Sequence, residues 1–192
     1  MFTPLPFPGR AQLLAAIDAA VCLHDPHAVT HALQEVLATA INDPAIVLPP
    51  CVYRPVQGHY ARRELHRSAT LGYSVVAMCW GPGQGTPLHD HDALWCVEGV
   101  WQGELQVTPY ALLQRQGERF RFQPQSTLHG LRGSAGSLIP PHEYHTLRNA
   151  RDDTVAVTVH VYQAALERSA VFDPLGEGWY QRRVQVMETD AA

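Results

Sequence analysis

His89 and His91 stand one residue apart, and that spacing carries the clearest chemical signal in the chain. In an extended segment, residues i and i+2 point to one face, so this His-Asp-His run sets two imidazoles side by side. Imidazole nitrogen is a ligand for first-row transition metals, and such a pair suits one ion. Two ligands rarely suffice, so a third donor has to come from elsewhere. A second arrangement lies in TVAVTVHVY at 154–162. There Val155, Val157, Val159 and Val161 share one face of a strand, and Thr158, His160 and Tyr162 share the other. A solvated face would more often carry charges. A hydroxyl, an imidazole and a phenol in a row can instead form a relay.

The elements that must hold these groups can be read from the rest of the chain. With 192 residues, 46% of them hydrophobic, it can bury a core as a single domain. Residues 10–41 read as two helices. Leu13, Leu14, Ile17 and Val21 recur at helical spacing, as do Val29, Leu33, Val36, Leu37 and Ile41. Between them, Asp25-Pro26 has the form of an N-cap followed by a first-turn proline. Asn42-Asp43-Pro44 ends the second helix. From about residue 59, short β-runs take over at 74–80, 94–100, 104–110, 119–123, 137–140 and 154–162, separated by Gly and Pro. A further run is expected at 180–186, and residues 188–192 are expected to fray. The layout predicted is a helical cap over about 10–45, a β-barrel over about 59–172 and a C-terminal tail over 173–192. Many short strands at this spacing predict an all-β core, a double-sheet jelly roll, with the N-terminal helices packed outside it.

The net charge of −4 offers no basic patch for nucleic acid, and all 14 basic residues are Arg. The opening MFTPLPFPGR lacks the charged segment and apolar run of a secretory signal. No run is long enough to cross a bilayer. Cys22, Cys51, Cys79 and Cys96 form no Cys-x-x-Cys pair, so reduced thiols and a cytoplasmic location are expected.

Gly83 lies six positions before His89, and Gly103 lies twelve after His91. This spacing resembles the first motif of the cupin superfamily, G-x5-H-x-H-x(3,4)-E-x6-G, and so implies a cupin (double-stranded β-helix/jelly roll) barrel. Where that motif places its glutamate ligand, this chain has Cys96; Glu98 is two residues further on and out of register. A thiol in place of the carboxylate resembles the cysteine dioxygenase family, the mononuclear iron thiol dioxygenases. PPHEYHTLRN, ending at Asn149, is similar to the second cupin motif through Pro140, His145 and Asn149, with His142 at the inner glycine. The resemblance implies His145 as the third ligand, with His142 as its competitor, and Fe(II) as the cofactor. Three imidazoles alone would equally accept Zn, Ni, Mn or Cu. Being neutral, they leave a divalent ion its full charge, which favours an anionic sulfur ligand and leaves positions open for substrate and dioxygen.

The same resemblance implies roles for the pocket. A Ser-His-Tyr series lines the family's iron pocket and is similar to Thr158, His160 and Tyr162 here. Tyr162 would bond substrate and oxygen, and His160 would orient it. Cys96 would join Tyr162 as a thioether, as in the mammalian enzymes, or pack as an inert thiol. HYARREL at 59–65 resembles the family's Tyr-x-Arg segment and implies Tyr60 and Arg62 as substrate-binding residues; an ungapped count selects Arg63 instead. The guanidinium fork suits a carboxylate. Arg168, in ERSAVF, is similar to the arginine that serves the related 3-mercaptopropionate dioxygenases. The chain is thus expected to oxidise a small thiol, L-cysteine, with O2 to cysteine sulfinic acid. Two alternatives stay open: 3-mercaptopropionate as the substrate, and a non-catalytic metal-binding cupin.

Overall fold

The structure, a computed structural model, describes residues 5–191. Residues 1–4 of the opening segment, and Ala192 of the tail, lie outside the described residues. Two helices lead, α1 (Arg10–Val21) and α2 (Pro26–Asn42). The Asp25 side chain caps α2 by accepting from Ala28 N at 2.9 Å, with Pro26 in the first turn as the sequence predicts. Strands follow as β1 (Ala61–Arg67), β2 (Ser74–Trp80), β3 (Leu88–His89), β4 (Cys96–Gln102), β5 (Glu104–Gln116) and β6 (Arg119–Pro124). The remainder are β7 (Leu128–Leu131), β8 (Ala135–Leu138), β9 (His145–Asn149), β10 (Ala156–Tyr162), β11 (Arg168–Gly176) and β12 (Trp179–Val186).

The strands form a five-stranded sheet, β1-β2-β10-β4-β8, facing a seven-stranded sheet, β6-β12-β11-β3-β9-β5-β7. This is the all-β double sheet with two N-terminal helices that the sequence predicts. The helices cover the outer face of the five-stranded sheet. Leu33, Leu37 and Ile41 of α2 join Val75, Ala77, Cys79, Val97, Val157, Val159 and Val161 in one buried cluster. Gly99 of β4 lets α2 come close, because a Cβ there would meet Ile41 Cδ1 at 3.0 Å and Leu37 Cβ at 3.2 Å. On the inner face, Val76, Met78, Trp80, Cys96, Val100 and Tyr162 pack with Leu105 and Leu147 of the other sheet.

The tail differs from expectation. β11 runs across the expected barrel limit at residue 172, and β12 is hydrogen-bonded between β11 and β6. Glu188, Asp190 and Ala191 are hydrogen-bonded to β1, where the sequence predicts fraying. Asp190 N donates to Arg62 O at 2.7 Å, and Asp190 Oδ2 accepts from Arg62 N at 2.8 Å. The physical reason is that β1 is an edge strand with unpaired backbone groups, and the tail satisfies them. No helix among the described residues is long and apolar enough to cross a membrane. All four cysteines are free thiols.

Candidate metal centre

β3 holds only two residues, but it lies between β9 and β11, and its pairing sets the site. His89 is the register partner of His145 on β9 and of Val171 on β11. His91 follows just past the strand, where Asp92 and Ala93 turn the chain with φ of 53° and 63°. The motif glycines Gly83 and Gly103 also take positive φ, 66° and 78°, and a Cβ on Gly103 would stand 3.0 Å from Ala156 Cα. Asn149 ties the end of β9 to the loop after β2, donating to Trp80 O, Gly81 O and Thr154 O.

His89, His91 and His145 bring one ring nitrogen each within 4.8 Å of one another, and all three are buried. Ring centroids lie 4.3 Å apart for His89–His145, 5.0 Å for His91–His145 and 5.3 Å for His89–His91. His89 Nδ1 lies 3.1 Å from Pro87 O, and His145 Nδ1 lies 2.7 Å from Glu143 O. A carbonyl only accepts, so both rings carry hydrogen on Nδ1 and keep a lone pair on Nε2. His145 Nε2 and His91 Nδ1 are buried with no hydrogen-bond partner. Such an atom costs about 1–3 kcal/mol unless something meets it. Burial lowers the pKa of His89, and lowers those of His91 and His145 further with their mutual repulsion, so all three are neutral donors. The residues fit a metal ion, and no carboxylate belongs to the cluster among the described residues. Nearby Glu143 accepts from His91 N at 3.3 Å, and burial raises its carboxyl to about 7. His142 is exposed and stands outside the cluster.

The polar row of β10 faces the same interior. Thr158, His160 and Tyr162 are 0%, 1% and 2% exposed. Trp80 Nε1 donates to Thr158 Oγ1 at 2.9 Å, and Thr158 Oγ1 lies 2.8 Å from His160 Nε2. The Tyr162 ring stands edge-on to His91, centroids 5.4 Å apart, and near-parallel to His160 at 5.9 Å. Cys96 is Tyr162's register partner across β4 and β10, and its Sγ is 3.9 Å from His160 Nδ1. Burial pushes the Cys96 thiol and the Tyr162 phenol well above their usual ranges, so both keep their hydrogens.

Arg62 and Arg63 point to opposite sides of β1. Arg62 is the register partner of Met78, an interior residue, and Arg63 that of Ala77, which packs toward the helices. Burial raises the Tyr60 phenol, with the nearby Arg62 charge partly offsetting it, and the same charge adds to the burial that lowers His91 and His160. Arg62 NH1 donates to Glu188 O at 2.9 Å, while its Nε is buried without a partner. Tyr60 stacks on Trp80 at 4.4 Å. A cavity of about 350 Å³ opens here, lined by His59, Tyr60, Arg62, Met187, Glu188 and Asp190 among others. Neither this cavity nor the groove of about 440 Å³ between α1 and α2 is lined by His89, His91 or His145. Arg168 is not brought to this interior; it is exposed and donates to Asp92 Oδ2 at 2.8 Å.

Glu98 is a site residue that sequence reasoning set aside. It is 8% exposed, burial raises its carboxyl to about 7, and its Oε2 lies 3.5 Å from His160 Nδ1. His160 is lowered to about 3 by burial and the Arg62 charge, so the imidazole in this contact is neutral. The available signal was its position two residues from Cys96, which puts both on one face of β4.

Among known proteins, Cysteine dioxygenase type 1 of Bos taurus is 22% identical over 122 residues, which cover 64% of this chain and 60% of that protein. Its Homo sapiens counterpart is 23% identical over 101 residues, covering 53% and 50%. The chain thus spans little more than half the length of the curated relatives it matches. Among solved structures, TT1209 from Thermus thermophilus is 18% identical with a TM-score of 0.45, covering 58% of this chain and 90% of that one. The family model described as Cysteine dioxygenase type I matches residues 57–174, and the chain belongs to that family.

Proposed function

We propose that the chain is a thiol dioxygenase that converts L-cysteine and O2 to cysteine sulfinic acid, with Fe(II) held by His89, His91 and His145. The observation that supports it best is the meeting, in one interior, of three neutral imidazoles with a buried guanidinium whose Nε has no partner. An orphaned cationic donor favours an anionic ligand, and a carboxylate matches its fork. A ferrous ion at the site would supply a docking point for thiolate sulfur and for dioxygen. The thiolate provides the four electrons, both oxygen atoms end on sulfur, and no further reductant is needed.

The chain's own residues bind, orient and shield. Arg62 holds the substrate carboxylate, and Tyr60, fixed by its stack on Trp80, borders it. Tyr162 keeps its hydrogen and offers it to the reacting oxygen and sulfur. His160, itself in contact with Thr158, packs parallel to that phenol and would orient it. The exposed Arg168, occupied by Asp92, favours cysteine over 3-mercaptopropionate as the preferred thiol. Cys96 and Tyr162, register partners on neighbouring strands, would form a thioether in which S–H and ring C–H are lost, an S–C bond forms, and dioxygen takes the two electrons and two protons. Intact mass after turnover should then be two hydrogens lighter in wild type and unchanged in Cys96→Ala.

The deciding experiment loads metal-free protein with Fe(II) and follows dissolved oxygen with cysteine and with 3-mercaptopropionate. One O2 consumed per sulfinate formed from cysteine is expected, and no uptake with either thiol sinks the reading. Arg62→Gln should raise KM for cysteine by about 10–100-fold, while a thiol without a carboxylate changes by less than about twofold.

A further inference from the structure

The polar row on β10 continues to a carboxyl that the chemistry above does not use. Indole N–H can only donate, so Thr158 Oγ1 accepts from Trp80. The hydroxyl's other contact is His160 Nε2 at 2.8 Å, the acceptor that the described residues offer its hydrogen. A neutral imidazole that accepts at Nε2 carries its hydrogen on Nδ1. That Nδ1 faces two groups on β4, Cys96 Sγ at 3.9 Å and Glu98 Oε2 at 3.5 Å. A thiol is a weak acceptor, whereas Glu98 Oε2, 3.5 Å from that Nδ1, is buried with no hydrogen-bond partner, and a small turn of either side chain would close the contact. Glu98 and His160 are register partners, so the sheet itself sets their separation.

Glu98 also has an outlet. With Thr158, Ser137 and His142 it lines a cleft of about 330 Å³. Across β4 and β8 its register partner is Gly136, where an added Cβ would meet nothing within 4 Å. β8 is one edge of the five-stranded sheet, and β1, which carries Arg62, is the other. The cleft therefore reaches the row from the edge away from the thiol pocket.

We propose that Glu98 is a positioning residue: it receives the Nδ1 hydrogen of His160 and so holds the imidazole in one tautomer and one plane beside Tyr162, while the notch at Gly136 admits water to that contact. The kinetic consequence rests on the thiol dioxygenase reading; the tautomer does not.

The test starts with metal-free protein carrying 15N-histidine, with His160 assigned through an H160N variant. Wild type should show His160 protonated at Nδ1 and unprotonated at Nε2. E98Q, whose amide oxygen still accepts, should keep that pattern with a shifted Nδ1 hydrogen resonance, and E98L should lose the single tautomer. G136V should keep the tautomer and slow exchange of the Nδ1 hydrogen with D2O by about tenfold or more. In the ferrous enzyme, E98L should lower kcat about tenfold with KM changed less than about twofold, and E98Q should restore most of it. His160 protonated at Nε2 in wild type, or E98L with wild-type tautomer and kcat, would reduce Glu98 to a buried acid without this role. Wild-type exchange in G136V overturns the notch. If E98L does not fold, the wild-type tautomer and the resonance shift in E98Q decide, and an unmoved resonance counts against the contact. A wild type that consumes no oxygen with any thiol defeats the dioxygenase reading and leaves the tautomer result standing.

Discussion

The two faces of β10 are equally dry and built for opposite ends. Val157, Val159 and Val161 are 0% exposed on one side, and Thr158, His160 and Tyr162 are at most 2% exposed on the other. The valines need no partners and meet the helices, each contributing about 1.5–3 kcal/mol of burial. Each polar group on the other face has to be given a partner or be left wanting one. Three valines there would stabilise the barrel more. This strand therefore takes its stability from the outer face and accepts a cost on the inner one, where chemistry is held.

A substitution in the interior that the polar face lines, and one on the valine face, probe that division. His145→Ala is expected to have the largest effect, a loss of more than about 100-fold in metal affinity by calorimetric titration. The stability of the metal-free protein should move by less than about 2 kcal/mol, because the loss of the partnerless Nε2 offsets the lost bond from Nδ1 to Glu143 O. Val159→Ala should do the reverse, costing about 1–3 kcal/mol in urea denaturation while metal affinity stays within about twofold. Equal loss of metal binding in both variants would show that the faces are not separable.

The smallest effect is in pH. The folded chain keeps the Glu98 proton up to pH about 7, whereas the unfolded chain releases it near the ordinary 4.5. Unfolding between those values releases a proton, so stability falls as pH rises through the window. Wild type should therefore lose about 1–2 kcal/mol relative to Glu98→Gln between pH 5 and 8, measured by urea denaturation of metal-free protein. His160 has the opposite sign. Its pKa falls from 6.5 to about 3 on folding, so the folded chain binds fewer protons between those values and stability falls as pH drops. His160→Asn should flatten the acid side of the profile.

How much of this was legible follows from residue type. β2 reads from sequence at its observed limits, Ser74–Trp80, because seven consecutive residues are buried and β-prone. β10 begins two residues later than the alternating pattern suggests, since periodicity does not mark where pairing starts. β1 was not readable as a strand: ARRELHR is polar almost throughout, yet Arg62 and Arg63 are buried and held by the tail. β3 is too short for any periodicity to reveal. The histidine pair was legible from spacing alone, but His145 entered only through a family motif, because its partnership with His89 is made by sheet register and not by sequence distance. Glu98 was dismissed as out of line with the motif, although alternation along β4 already placed it beside Cys96.

Trp80 joins the two halves of the interior. Its indole stacks on Tyr60 at the cavity mouth and donates to Thr158 at the head of the polar row. A molecule that shifts Tyr60, or a change that turns the Thr158 hydroxyl, alters the surroundings of one chromophore. With Trp95, Trp101 and Trp179 replaced by Phe, the chain would carry its own optical reporter: the ultraviolet emission of this indole would register both entry of a ligand at Tyr60 and rearrangement of the row, with no dye attached.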